Sequence, residues 1–259
     1  MGGNVSENSV DIAISPLWVK TFVYKYRCFA GKTIMERFLT AKEDYSIYES
    51  DEDVLSELAE FVVEENYRHH SVLNTDIPSA EVERVFNEER RLINLSHILV
   101  ARNKTGEIVG SIRITKWDRK TELPMEGLFG LNPLDLAINT TVTTFWHIGR
   151  FSIKKDSQYS TMLLMRILMI HAIYPIVKEV TGCLLAEVDR KLFNVLGKLG
   201  IAVSQLAPSI NYLASETIPI YSTSEAMLEF YNRNKHLYTP LEFNTLMGDN
   251  IQIPNPLEY

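Results

Sequence analysis

Within residues 143–153, TTFWHIGRFSI, a strand-like alternation of aromatic and β-branched residues is interrupted by His147, Gly149 and Arg150. An imidazole titrates near neutrality, so His147 is the residue of this run best suited to take a proton from a reacting group. The bland alternative is a histidine that hydrogen-bonds in the core or faces solvent at a strand edge. Arg150, and Arg113 in the run IVGSIRIT, stand among apolar neighbours, and a guanidinium is costly to bury without a carboxylate or phosphate. Each needs either an internal partner, Glu187 or Asp189, or a ligand anion. Glu187 and Asp189 alternate onto one face of CLLAEVD, where a solvated or ion-paired face is the simplest reading. Cys28 and Cys183 have neither metal-ligand spacing nor a disulfide framework, and no metal is expected.

The chain that must position these groups has 259 residues, 46% hydrophobic and 23% charged, enough for one generous domain or a domain with an extension. Its net charge of −7 argues against a nucleic-acid partner, which calls for a basic face. The opening MGGNVSENSVDIAIS has no basic stretch followed by an apolar run, so a cytoplasmic protein is expected. Met162 to Val177 is the most apolar stretch, but it is shorter than the ~20 residues of a membrane span. It also carries Arg166, His171 and Pro175. It reads as a buried helix, with peripheral membrane contact at most.

Residues 1–43 read as an N-terminal helical extension with short amphipathic helices around Gly31. DYSIYES reads as a strand, and DEDVLSELAEFVVEENYRHH as a helix capped by Ser50 or Asp51. SAEVERVFNEERRLI is a further helix, and SHILVARNKTGEIVGSIRIT is a hairpin turning at Lys104, Thr105 and Gly106. A connecting segment with a short helix leads to the strand 143–153, then to a helix over about 157–180 closed by Gly182. The strand CLLAEVD, the helix RKLFNVLGKLG ending at Gly200 and the strand SETIPIYST follow, then a loop-like tail at 241–259. This order predicts an α/β domain over 44–240, built on one largely antiparallel sheet flanked by helices.

Two of these strands resemble those of a known family. GEIVGSIRIT is similar to the glycine-valine-glycine-x-x-arginine strand, and FWHIGRFSI to the tryptophan-glutamate-x-serine-arginine-phenylalanine strand, of acyl-homoserine-lactone synthases. With LFNVLGKLGI as a third echo, residues 44–235 resemble the N-acetyltransferase (GNAT) superfamily, in its acyl-homoserine-lactone synthase and N-acyl amino acid synthase branch. The departures are specific. His147 and Gly149 stand where the branch has glutamate and serine, and the paired aspartates that help bind S-adenosylmethionine have no counterpart, so lactone synthesis is not expected. KKDSQYSTMLLMRIL lacks the glycines with which acetyltransferases hold the coenzyme A pyrophosphate, which favours an acyl-carrier-protein thioester over acyl-CoA.

The resemblance implies a GNAT-like acyltransferase that moves a fatty acyl group from an acyl-carrier-protein (or acyl-CoA) thioester to the α-amine of an amino acid or similar small amine, giving an N-acyl amino acid. His147 would be the base, with Arg150 and Arg113 binding the acceptor. Ser152, Ile153, Lys154, Lys155, Ser157, Ser160 and Thr161 would hold the phosphopantetheine arm. Trp146, Phe151, Met162, Met165 and Leu168, first read as core, would form the acyl pocket. Lys154 and Lys155, with Lys116, Arg119 and Lys120, would steer the acidic carrier protein. The competing readings are an acetyl-CoA-dependent N-acetyltransferase and a catalytically inactive GNAT-like binding or regulatory module.

Overall fold

The computed structural model describes residues 24–29, 32–70, 78–136, 142–155, 161–212 and 215–241. Strands β1 (Tyr24–Phe29), β2 (Lys32–Ala41), β3 (Tyr45–Ser50), β4 (Ser96–Asn103), β5 (Ile108–Lys116), β6 (Thr144–Ile153) and β7 (Gly182–Asp189) lie side by side in that order. After them come β8 (Ser204–Gln205), β9 (Ile210–Tyr212) and β10 (Ser215–Thr223); β10 pairs with β7, and the two short strands pair with β10. Every pairing is antiparallel except that of β6 with β7. The result is the mixed, largely antiparallel sheet that the order of elements implies.

The hairpin β4–β5 shows why local sequence suffices there. The Asn103 side chain accepts from the backbone N–H of Thr105 and of Glu107, at 3.0 and 2.9 Å, and Gly106 takes the turn's positive φ of 90°. Period-two alternation then sends Leu99, Ala101 and Val109 into one core, and Ile98, Val100 and Ile108 into another on the opposite face.

Helices cover both faces. On one lie α1 (Leu55–His70), α2 (Ser79–Leu92) and the short α3 (Pro124–Phe129); on the other, α4 (Thr161–Lys178) with α6 (Leu228–Asn234) packed on it. Helix α5 (Arg190–Leu199) continues from β7 and packs on β7 and β10. A parallel β6–β7 pair needs a crossover, and α4 supplies it. Its Ile167, Leu168, Ile170, Ile173 and Ile176 are fully buried, each contributing about 1.5–3 kcal/mol by leaving water. His171 is buried in the same helix because both ring nitrogens are used: Nδ1 donates to Ile167 O at 2.6 Å and Nε2 accepts from Thr239 N at 3.2 Å. Burial pushes its pKa down, which favours this neutral form.

Two expectations are corrected. Residues 24–29 and 32–41, read from sequence as helical, are strands at the sheet's edge; runs this short have no periodicity that separates helix from strand without knowing the partner strand. Residues 1–23 and most of the tail lie outside the described residues. Gly182 does not close α4, which ends at Lys178, but opens β7. A Cβ there would lie 2.5 Å from the carbonyl oxygen of Ile176 and 2.9 Å from that of Glu179. Both are backbone atoms that cannot swing aside, so Gly182→Ala should cost about 1–3 kcal/mol. Urea denaturation would read this as a lowered midpoint with an unchanged slope.

Candidate active site

Strands β6 and β7 are paired only from Thr144–Gly182 to His147–Leu185, and beyond that rung they separate. On its other edge β6 pairs with β5, Ser152 opposite Ser111 and Gly149 opposite Arg113, so β6 spends one residue more than β5 between these rungs. The extra length is taken up at Arg150, whose φ of 52° lies in the left-handed region that non-glycine residues rarely enter. The separation opens a cavity of about 440 Å³.

Alternation along the two strands gives the cavity two unlike walls. Toward α4 and α5 it is apolar, with Met165, Met169 and Ile173 facing Ala186, Val188 and Val195. On the opposite face it is lined by Glu88, Arg113, His147, Arg150, Glu187 and Tyr212.

These polar groups form one connected network. Arg113 is 1% exposed; its Nη1 donates to Glu89 Oε1 at 2.7 Å and its Nη2 to His147 Nδ1 at 2.8 Å. A guanidinium has only donors, so Nδ1 is the acceptor and the imidazole proton sits on Nε2, which donates to Glu187 Oε2 at 2.9 Å. Arg150 donates through Nε to Glu89 Oε1 at 2.6 Å and through Nη2 to Glu88. Burial would lower the Arg150 pKa, but Glu88 and Glu89 outweigh it and raise it. Burial raises that of Glu187, yet His147 and the positive charge of Arg113 and Arg150 leave it below the usual carboxylate value. Glu187 is therefore ionised at neutral pH, on the cavity wall.

His147, Arg113 and Arg150, singled out from sequence, thus come together. His147 is fully buried with both ring nitrogens engaged, a poor position for a base that must meet a substrate. The partners of the arginines are Glu88 and Glu89 of α2, not Glu187 or Asp189. One signal was available: Glu89 lies on the buried stripe of α2 with Val85 and Leu92, where a carboxylate needs a cation. Asp189 caps α5, accepting from Leu192 N at 2.6 Å.

Of the residues assigned to the donor arm, Ser152, Ile153, Lys154, Lys155 and Thr161 line the cavity, while Ser157 and Ser160 lie outside the described residues. Phe151 and Met165 of the expected acyl pocket line it too. The other three do not. Trp146 is buried with Nε1 donating to Glu179 at 2.9 Å, Met162 is 47% exposed, and Leu168 is packed in the core. Lys116 pairs with Glu179 and Arg119 donates to Thr143 O, at the far end of β6 from Lys154 and Lys155.

No protein-family model matches the sequence, and no curated protein does. In fold, the chain is similar to solved acyl-homoserine-lactone synthases. The synthase LasI is 11% identical at a TM-score of 0.48, over 77% of this chain and 97% of that one. TofI, in a ternary complex with an inhibitor and MTA, is 13% identical at 0.47 over 72% and 95%. The CoA-dependent synthase BjaI, with SAM and isopentyl-CoA, is 15% identical at 0.47 over 71% and 83%. Likeness at these values concerns the arrangement of strands and helices, and any chemistry has to come from the side chains of the cleft.

Gly149 gives that cleft a direct check. A Cβ there would lie 2.5 Å from Arg113 Nη2, so the glycine is what lets Arg113 cross β6 to His147. Gly149→Ala should still fold, and should break this bond. The ¹⁵N spectrum of the His147 ring would then lose the signature of a single Nε2–H tautomer; an unchanged spectrum would remove Arg113 as its cause.

Proposed function

We propose that the protein is an N-acyltransferase, moving a fatty acyl group from a phosphopantetheine thioester to a small primary amine. The observation that supports this most is the two-walled cavity, whose apolar side suits an acyl chain and whose polar side presents an ionised carboxylate where the strands part. Methionine walls adapt to flexible chains, and the thioester arm would enter beside Ser152 to Lys155 and Thr161. An acyl-carrier protein or coenzyme A would bring it, with Lys154 and Lys155 at the mouth as the groups meeting its negative charge. The α-amine of an amino acid is the acceptor that the sequence resemblance implies.

In the reaction, the amine nitrogen attacks the thioester carbonyl directly, so no enzyme nucleophile is required. The C–N bond forms, the C–S bond breaks, and main-chain N–H groups on the free edge of β6 stabilise the oxyanion. The proton leaving the nitrogen passes to Glu187 and from there to the departing thiolate. His147 acts as a positioning residue, held by Arg113 and holding Glu187. This moves the base, assigned from sequence to His147, to the carboxylate that reaches the cavity.

Two variants separate these roles. Glu187→Gln should lower kcat by roughly 10²–10⁴ with little change in donor KM. Glutamine at 147 can accept from Arg113 through its oxygen and donate to Glu187 through its nitrogen, so His147→Gln should keep kcat within about tenfold. A His147→Gln protein that folds but is as dead as Glu187→Gln would return the base to His147. For the donor, Val195→Phe narrows the apolar wall and should shift preference toward shorter acyl chains. Competition between C8 and C16 thioesters, read by mass spectrometry of the amides, measures that shift.

A further inference from the structure

We infer that the acceptor amine carries no free carboxylate: it is an alkylamine, or an amino acid whose carboxyl is masked as an amide or ester. The inference rests on the acyltransferase reading and narrows its acceptor. An α-amino acid brings its carboxylate two bonds from the reacting nitrogen, so the site would need a cation beside Glu187 to receive it. Arg113 and Arg150 are the cations of the polar wall among the described residues, and both are already ion-paired, with Arg113 Nε buried and without a hydrogen-bond partner. Glu89 takes a hydrogen bond from each, and Glu88 takes a second from Arg150.

Both glutamates project from α2, so they remain when a substrate arrives and balance the two guanidiniums charge for charge. Glu187 is then left without a guanidinium of its own, because its partner is His147, whose Nδ1 is already taken by Arg113. An incoming carboxylate would meet a balanced ion pair and a like charge a few bonds away, whereas an ammonium would meet Glu187 alone. The lysines that line the cavity keep their charge, but their ammonium groups are bonded elsewhere than to this polar wall. Lys155 Nζ donates to Arg68 O and Lys191 Nζ to His69 O, both at 3.0 Å, which ties them to the end of α1. Lys154 pairs with Glu107 at 3.3 Å.

The test compares amines that differ only at the carboxyl: leucine with leucinamide and 3-methylbutylamine, and ornithine with 1,4-diaminobutane. Each is offered to the full-length protein with one C12 acyl-CoA and the same acyl group on acyl-carrier protein, and rates are expressed per free amine. The carboxylate-free member of each pair should exceed its amino acid by about 100-fold in kcat/KM. In Glu187→Gln, calorimetric affinities within a pair should converge, since the repelling charge is gone. Leucine acylated as well as leucinamide would overturn the inference and leave the acyltransferase reading intact. If no amine is acylated, that reading falls, and calorimetry on the wild-type protein still decides the inference. Tighter binding of leucinamide than of leucine supports it; equal binding, or none by any amine, overturns it.

Discussion

A buried carboxylate between two guanidiniums holds the centre of this molecule together. Glu89 Oε1 accepts from Arg113 on β5 and from Arg150 on β6, joining α2 to two strands of the sheet. Either arginine alone in that environment would be an uncompensated buried charge, which costs several kcal/mol. The same contacts hold Arg150 in its left-handed conformation, and that bulge lets β6 stay in register with β5 while it leaves β7. The cavity is the space this departure creates.

The network also sets the electrostatics. A histidine that accepts from one neighbour and donates to the next transmits orientation, so the guanidinium of Arg113 fixes the imidazole and the imidazole fixes Glu187. Burial raises the Glu187 pKa, but the charge interaction and hydrogen bond with His147, and after them the two arginines, leave it lowered. A depressed carboxylate is a modest base but a constant one: it stays ionised as pH falls toward the ordinary carboxylate range and is lost only below it. In the proposed reaction its part would be to orient the acceptor, which attacks as the neutral amine, and to receive a proton once C–N bond formation has made that proton acidic.

How much of this could be read from the chain follows from the range of the interactions. The β4–β5 hairpin and the ends of α5, capped by Asp189 and by Gly200 at φ 85°, are local, and their residue types announce them. His147, Arg113 and Arg150 were legible as misfits among apolar neighbours, because a buried polar group has to be answered somewhere. Where the answer came from was not legible. Glu88 and Glu89 sit in a helix whose charged composition hides them, and their contacts with Arg150 span 62 and 61 residues. Nor does any residue between 144 and 153 announce that pairing with β7 stops at His147, since that depends on both strands and on what packs beneath them. For the same reason β1 and β2 were misread: a strand is defined by the strands it pairs with.

The two unlike walls follow from one geometric fact about strands. Successive side chains point to opposite faces, so Ile148 joins the core beneath α4 while His147 meets Glu187 on the other side. In a fully paired sheet the two faces would be sealed from each other by the backbone. Here they communicate only through the gap between β6 and β7, which is also where the backbone of β6 loses the hydrogen-bond partners that β7 supplies earlier in the strand. A reaction joining an apolar chain to a polar amine has its reacting carbonyl at the boundary between the two. The gap sets that boundary beside the stretch of β6 that has no partner in β7, next to the bulge at Arg150.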